Sequence, residues 1–357
     1  MRKKLNIRFP KDKGERTCYM KKYVSDYLNK GTKGHSNYEF VDVVVNDDNL
    51  LFIDPILIET SEDQWSKEAK ASIQSFFEAF FEAYSRKDEL KKRELLSHAG
   101  EQNGTRLGYG RGDNGKGNTV KGLLDIFVPL EKLIQEIHTM EKAEDLPLLI
   151  PDFAEDGLSD LLTNILHAQL NAFTMRQICK YGLKSNGNKH FWSWDKEKVC
   201  WIQLEKPSFY IDGQELLLVP KQIVRKNYLF STSQYFNRII LERIREEGGY
   251  MDGDKPIPKK EVVKAKRFSG EHWQYDESVS YTKKNNDALD EYHKKLPIFY
   301  FENGNSMQDD EAEKIPEPAI GKMIRRMTSA RVAPIAYAPS FRSEGTILMN
   351  SALSEEA

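Results

Sequence analysis

The alternation of apolar and polar positions along the chain lays out its elements before any other property is considered. Tyr38–Val45 reads YEFVDVVV, alternating and β-branched, and predicts a strand. Asn46–Asn49 is turn chemistry, and Leu50–Ile53 predicts the second arm of a hairpin, ending where Pro55 follows Asp54. A helix follows: Ser61 and Gln64 are spaced as a capping box, and Trp65, Ala69, Ile73, Phe76, Phe80 and Tyr84 recur every three or four positions as one apolar stripe. The charged residues 85–99 end it. Leu133, Ile134, Ile137 and Met140 carry a further helical period that Pro129 opens. Asp156 or Ser159 caps a helix running to about Tyr181, with Gly182 placed to terminate it. Lys198–Glu205, Ser208–Ile211 and Glu215–Val219 predict short strands, the last two joined by a turn at Asp212-Gly213. Residues 231–247 and 287–296 predict helices, and 248–260 a loop.

Gly157–Met175 breaks the ordinary amphipathic pattern. Leu158, Leu161, Leu162, Ile165 and Phe173 form an apolar face, but the other face is Ser159, Asp160, Thr163, Asn164, His167, Asn171 and Thr174. Its 19 residues hold one charged side chain, Asp160, in a chain that is 30% charged. A solvated helix face normally carries Lys, Glu and Arg, so this helix is expected to be central, its polar side facing a polar interior or cleft. The fold class that follows is α+β or mixed α/β, with short strands and hairpins packed with several helices around a central polar-faced helix. One large domain spans 1–301, with a candidate subdomain break near 185–195. Residues 302–357, acidic and Pro-interrupted at their start, are expected to form a poorly ordered tail dispensable for folding.

A formal net charge of −2 supplies no global field that selects nucleic acid or membrane. Charge is uneven, however. Residues 1–33 hold eleven Lys/Arg against three Asp/Glu, and residues 221–267 hold twelve against six, so each offers either a basic face or ordinary solvated surface. The scattered Cys18, Cys179 and Cys200 argue for a reducing compartment and against a thiolate zinc site. The basic N-terminus has no apolar stretch behind it, and no window approaches the roughly 18 apolar residues of a membrane span. The expectation is a cytoplasmic chain without a membrane partner.

Three constellations carry candidate chemistry. Asp160 and Asn164 lie one turn apart on the polar helix face. They line a site, or else belong to a structural hydrogen-bond network in which Asp160 only helps to cap the helix. Gly100–Gly122 concentrates eight of the chain's 22 glycines, interleaved with Arg106, Arg111, Lys116 and Lys121. Arg106, Gly110, Arg111, Gly112, Gly115 and Lys116 are its candidate phosphate-binding residues, because glycine lets backbone N–H groups approach an anion; the competing account is a mobile surface loop. A standard P-loop is excluded, since Gly117 stands where Ser or Thr would meet magnesium and no apolar strand precedes the loop. Asp54, Glu59 and Lys221 follow apolar strand-like runs, the positions from which metal-dependent phosphodiesterases gather carboxylates and a lysine. Glu101 is a further candidate carboxylate. The seven histidines show neither HExxH nor paired ligand spacing, and His167 reads as a satisfied core histidine.

The blocks FIDPILIE (52–59), SDLLTN (159–164) and LLLVPK (216–221) resemble blocks in uncharacterised bacterial proteins, some of which accompany phage-defence or mobile-element genes. The resemblance spans roughly residues 40–300 and implies a genomic setting rather than a chemistry. The expected function is a metal-dependent nuclease or phosphodiesterase acting on nucleic acid. Asp54 and Asp160 would hold Mg²⁺ or Mn²⁺, with Glu59, Glu101, Asn164 and Lys221 completing the catalytic set. The alternative is a non-catalytic subunit that binds nucleic acid, a nucleotide or a protein partner.

Overall fold

The computed structural model describes residues 21–28, 34–47, 49–109, 119–151, 153–252, 255–266, 268, 270 and 272–303. The helices and strands run in the order α1 (Val24–Tyr27), β1 (Phe52–Ile53), α2 (Pro55–Thr60), α3 (Gln64–Ser85), α4 (Glu89–Leu96), α5 (Val120–Ile126), α6 (Leu130–Glu136), α7 (Asp145–Leu149), α8 (Glu155–Ile165) and α9 (His167–Lys180). They continue with β2 (Gly187–Asp195), β3 (Cys200–Ser208), β4 (Tyr210–Ile211), β5 (Gln214–Glu215), β6 (Val224–Arg225), α10 (Thr232–Tyr235), a π-helical segment (Phe236–Ile240), α11 (Leu241–Glu247), β7 (Met251–Asp252), β8 (Lys255–Pro256), α12 (Lys259–Lys266), α13 (Trp273–Lys284) and α14 (Asp287–Glu302). The fold is mixed α and β, with antiparallel strand pairs β1–β6, β2–β3, β4–β5 and β7–β8. No helix among the described residues is long and apolar enough to cross a membrane.

The long helix α3 forms as its stripe predicts, burying Ala69, Ile73, Phe76, Phe80 and Tyr84, but Asp63 caps it rather than Ser61, accepting from Ser66 N. Ser61 instead ends α2, a short helix that the sequence reading did not separate. Asp54 caps α2 and Pro55 supplies its first residue, where a missing N–H costs nothing. Asp212 and Gly213 both adopt positive φ (52° and 78°) between β4 and β5, as a two-residue hairpin requires. Gly182, at φ 80°, ends α9, with Leu183 N donating to Ile178 O.

Two predicted strands form no ladder. Phe40–Val45 is buried throughout and pairs with other chain through isolated bridges, Phe40–Pro220 and Tyr23–Val44, rather than through a ladder. Side chains replace the missing partner strand: Asn49 both accepts from Val44 N and donates to Val44 O, while buried Asp42 accepts from Ser25 N. The expected hairpin with Leu50–Ile53 is absent because β1 pairs with β6 instead. Leu216–Val219 is likewise an interior thread. Leu216 N donates to Phe209 O, Leu217 N to Gly104 O and Leu218 N to Thr174 Oγ1, while Val219 O accepts from Val41 N. An apolar run buried on all sides cannot be told from a strand by composition.

Other elements went unforeseen. Residues 185–195, the candidate subdomain break, contain β2, which pairs with β3 over nine residue positions. The predicted helix to Tyr181 is two helices, broken at Leu166 (φ −93°, ψ 9°). α12 begins at the end of the predicted loop 248–260 and α13 forms in a stretch for which no element was predicted, and α14 runs past Leu296 to Glu302 with Pro297 inside it. Residues 304–357 lie outside the described residues.

Candidate functional site

The segments carrying three of the predicted catalytic residues meet. Ile53 N donates to Ser159 Oγ (3.1 Å) beside Asp160, and Asp54 N donates to Ile223 O (2.9 Å), two residues from Lys221. Their side chains have fold duties. Asp54 is fully buried; Oδ1 accepts from Ile56 N (2.9 Å) and Oδ2 from the Tyr300 hydroxyl (2.5 Å). Burial raises its pKa to about 6, against the lowering effect of those bonds and of Arg225. Lys221 Nζ donates to His35 O (3.1 Å), and Glu59 stands 3.4 Å from Lys142 and 3.8 Å from Lys70. Asn164 Nδ2 ties α8 to the preceding segment through Gly100 O (2.6 Å) and also meets Asp160 O (3.0 Å). Asp160 is half-buried and Glu101 exposed. Arg106 is buried at φ 60°, with Nε donating to Val45 O (3.1 Å) and its guanidinium to Asn103 O, so it braces chain rather than facing a phosphate. Gly110, Arg111, Gly112, Gly115 and Lys116 lie outside the described residues. Among the described residues, no three His, Cys, Asp or Glu side chains gather as a metal ion's ligands would.

The polar face of α8 and α9 does meet the interior, and it is occupied by hydrogen bonds to an interior thread and to the end of β3. Thr174 Oγ1 accepts from Leu218 N (2.8 Å), and Asn171 Nδ2 donates to Ser208 Oγ (2.8 Å) and Pro207 O (3.2 Å). His167 is buried and stacked on Phe191, with ring centroids 4.0 Å apart. Gln102 Nε2 donates to its Nδ1 (3.3 Å), which leaves Nε2–H to donate to Glu215 Oε2 (3.2 Å). Glu215 Oε1 is buried without a hydrogen-bond partner, as are Gln169 Oε1 and Gln177 Oε1 of α9.

A second buried polar region lies where α7, the π segment and α14 come together. Asp145, fully buried in the first turn of α7, accepts from Glu141 N (2.9 Å) and Lys142 N (2.8 Å) with Oδ2 and pairs with His293 Nε2 (2.6 Å) through Oδ1. Three neighbours are not so provided for. Glu144 Oε1, Arg238 Nη1 and Tyr292 Oη are all buried without a hydrogen-bond partner. Glu144 has only the Lys142 ammonium at 3.8 Å, too far for a hydrogen bond. Tyr292 Oη faces the Ser231 backbone without bonding it. The Arg238 guanidinium lies 4.3 Å over the Phe299 ring, which fixes its plane. Arg238 sits mid-way in the π-helical segment, a geometry that re-aims side chains and recurs at functional sites.

The electrostatics of this region are unusual for the molecule. Burial, reinforced by Asp145, pushes Glu144 up to about 7. Burial alone would lower His293, but Asp145 outweighs it and carries the imidazole up to about 9. Burial likewise raises the Tyr292 phenol, opposed by Arg238 and reinforced by Glu144, which places all three groups in one field. A carboxyl raised by burial, beside a cation and a phenol, marks a functional-site candidate. The sequence reading passed over all of these residues. The one available signal was the acidic pair Glu144-Asp145 opening the otherwise apolar DLPLLI; nothing local links it to Arg238 or Tyr292, 94 and 148 positions on.

A family model described as Domain of unknown function (DUF8370) matches residues 31–231. Glu144 and Asp145 fall inside the matched region, whereas Arg238, Tyr292 and His293 fall beyond it, so the second region is a seam between the two. No curated protein and no solved structure matches the chain.

Proposed function

We propose that this chain, which belongs to the DUF8370 family, is a non-catalytic binding subunit whose ligand sits at the seam between the family-matched region and the helices that follow. One observation carries this reading: Glu144 Oε1, Arg238 Nη1 and Tyr292 Oη, from three separate elements, are each buried without a hydrogen-bond partner, and Arg238 and Glu144 both act electrostatically on Tyr292. A buried polar atom left unsatisfied costs about 1–3 kcal/mol, and a ligand that bonds several of them recovers that cost on binding. Thermal melting of the full chain against nucleotides, single- and double-stranded DNA and RNA tests it. The expected result is a compound that raises the melting temperature of wild type but not of Arg238→Gln. No response to any member of the panel counts against the reading.

A metal-dependent nuclease is the second reading, favoured by the meeting of the segments that carry Asp54, Asp160 and Lys221. It requires Mg²⁺- or Mn²⁺-dependent cleavage that Asp160→Ala abolishes without lowering the melting temperature. Inert wild-type protein on all substrates sinks it.

A further inference from the structure

We propose that the surface around α4 is an isologous interface at which this chain meets a second copy of itself. It lies apart from the seam and needs no ligand there. Six large apolar side chains stand exposed among the described residues, and four of them, Leu90, Val128, Trp192 and Val199, gather around this short helix. Leu90, 82% exposed, lies in its first turn. Beside it, Lys91 Nζ donates to Val199 O (3.4 Å) in the turn between β2 and β3. At the other end of α4, Trp201 Nε1 donates to Leu95 O (2.9 Å), and the His98 ring stacks on Trp192 with centroids 4.0 Å apart. Val128, 68% exposed, comes shortly before α6, whose Glu131 pairs with Lys92 of α4. Single exposed apolar residues need no explanation, but a cluster of them marks a contact surface.

Val199 adds an independent observation. Its φ is 52°, left-handed backbone that glycine adopts freely and a β-branched residue does not. Val199 is exposed and stands outside the hydrophobic core, so this strain sustains a presented apolar surface rather than packing.

The charges around the cluster choose the partner. Arg86, Arg93 and Lys198 are exposed, and so are Asp88, Glu94 and Glu197. A nucleic acid or an anionic bilayer calls for positive charge alone, which this rim does not offer. In an isologous contact the same patch lies on both sides. A patch of one sign would repel its copy, whereas a rim carrying both signs can match it through a twofold rotation. Trp192 supplies the kind of anchor on which such contacts concentrate their binding energy.

The test is sedimentation velocity of the full chain across a concentration series, alongside thermal melting. A monomer that gives way to a dimer as concentration rises is expected, since a patch built on so few side chains suits a weak contact. Leu90→Asp and Trp192→Ser should each weaken dimerisation by at least about tenfold. Aspartate suits the first turn of a helix, so Leu90→Asp should lose the dimer with its melting temperature unchanged. Val199→Gly, which relieves the backbone, should weaken the dimer while melting no lower than wild type. The other two exposed apolar residues, Ile298 and Phe301 of α14, supply the control, and Ile298→Ser should dimerise as wild type does. Wild-type chain that stays monomeric at every concentration overturns the inference and leaves the surface to a different protein. A dimer indifferent to Leu90→Asp and Trp192→Ser overturns it too, as does one lost in Ile298→Ser. The assay contains no seam ligand, so either reading can fail without the other.

Discussion

The polar face of α8–α9 and the seam between α7, the π segment and α14 are both shielded from water, yet they resolve their polar groups in opposite ways. Along α8–α9, Ser159 serves β1, Asn171 the end of β3 and Thr174 an interior thread, and the threads 40–45 and 216–219 depend on side-chain bonds in place of a sheet. At the seam the Asp145–His293 pair is complete, while Glu144 Oε1, Arg238 Nη1 and Tyr292 Oη have no hydrogen-bond partner. Burial and polarity alone therefore do not separate structure from function. What separates them is the kind of group left over: single acceptor oxygens of Gln169, Gln177 and Glu215 along α8–α9, and a guanidinium, a phenol and a carboxyl at the seam.

Mutations can break that contrast. Asp145→Ala should have the largest effect, about 3–5 kcal/mol by chemical denaturation, because it strands a buried imidazolium and two amides. A loss below about 1 kcal/mol would mean that His293 swings out to solvent and the seam is loose. Leu162→Ala, at a fully buried position of α8, should cost about 2–5 kcal/mol; hydrogen exchange of α8 at surface-helix rates would contradict its central place. Thr174→Val, nearly isosteric, leaves Leu218 N without its acceptor and should cost about 1–3 kcal/mol.

Acidity acts in the same order of size. Glu144 is raised from 4.5 to about 7 and His293 from 6.5 to about 9, so both bind protons more tightly folded than unfolded. The Glu144 contribution is complete below pH 4.5 and is lost as pH rises through about 7; that of His293 is complete below pH 6.5 and is lost through about 9. Melting temperature should fall monotonically between pH 5 and 9.5, tracking a loss of up to about 6 kcal/mol in all at about 1.4 kcal/mol per pKa unit. His293→Gln should flatten the alkaline part, and an unchanged alkaline slope would detach His293 from the effect. The smallest change sharpens the comparison most. Tyr292→Phe should be within about 0.5 kcal/mol of wild type or stabilising, since its hydroxyl bonds nothing. A cost like that of Thr174→Val would show that the seam is as fully bonded as the helix face.

Much of the architecture was readable along the chain because its causes are local. The α3 stripe, the Asp212-Gly213 turn and the Gly182 terminus each depend on residues within a few positions, where period, φ and missing side chains decide the outcome. The absence of long charged side chains from Gly157–Met175 was enough to place that helix inside, because a solvated face would not lack them. What those polar residues meet was not readable. Thr174 finds Leu218, and Asp54 finds Tyr300 across 246 positions. Asp54 does follow a strand, β1, but caps a helix there, while Lys221 follows an interior thread and bonds a distant carbonyl. The seam was out of reach for the same reason. Glu144, Arg238 and Tyr292 are unexceptional in their own neighbourhoods, and they become a site only when tertiary packing buries them together and supplies no partner, a condition that no local pattern encodes.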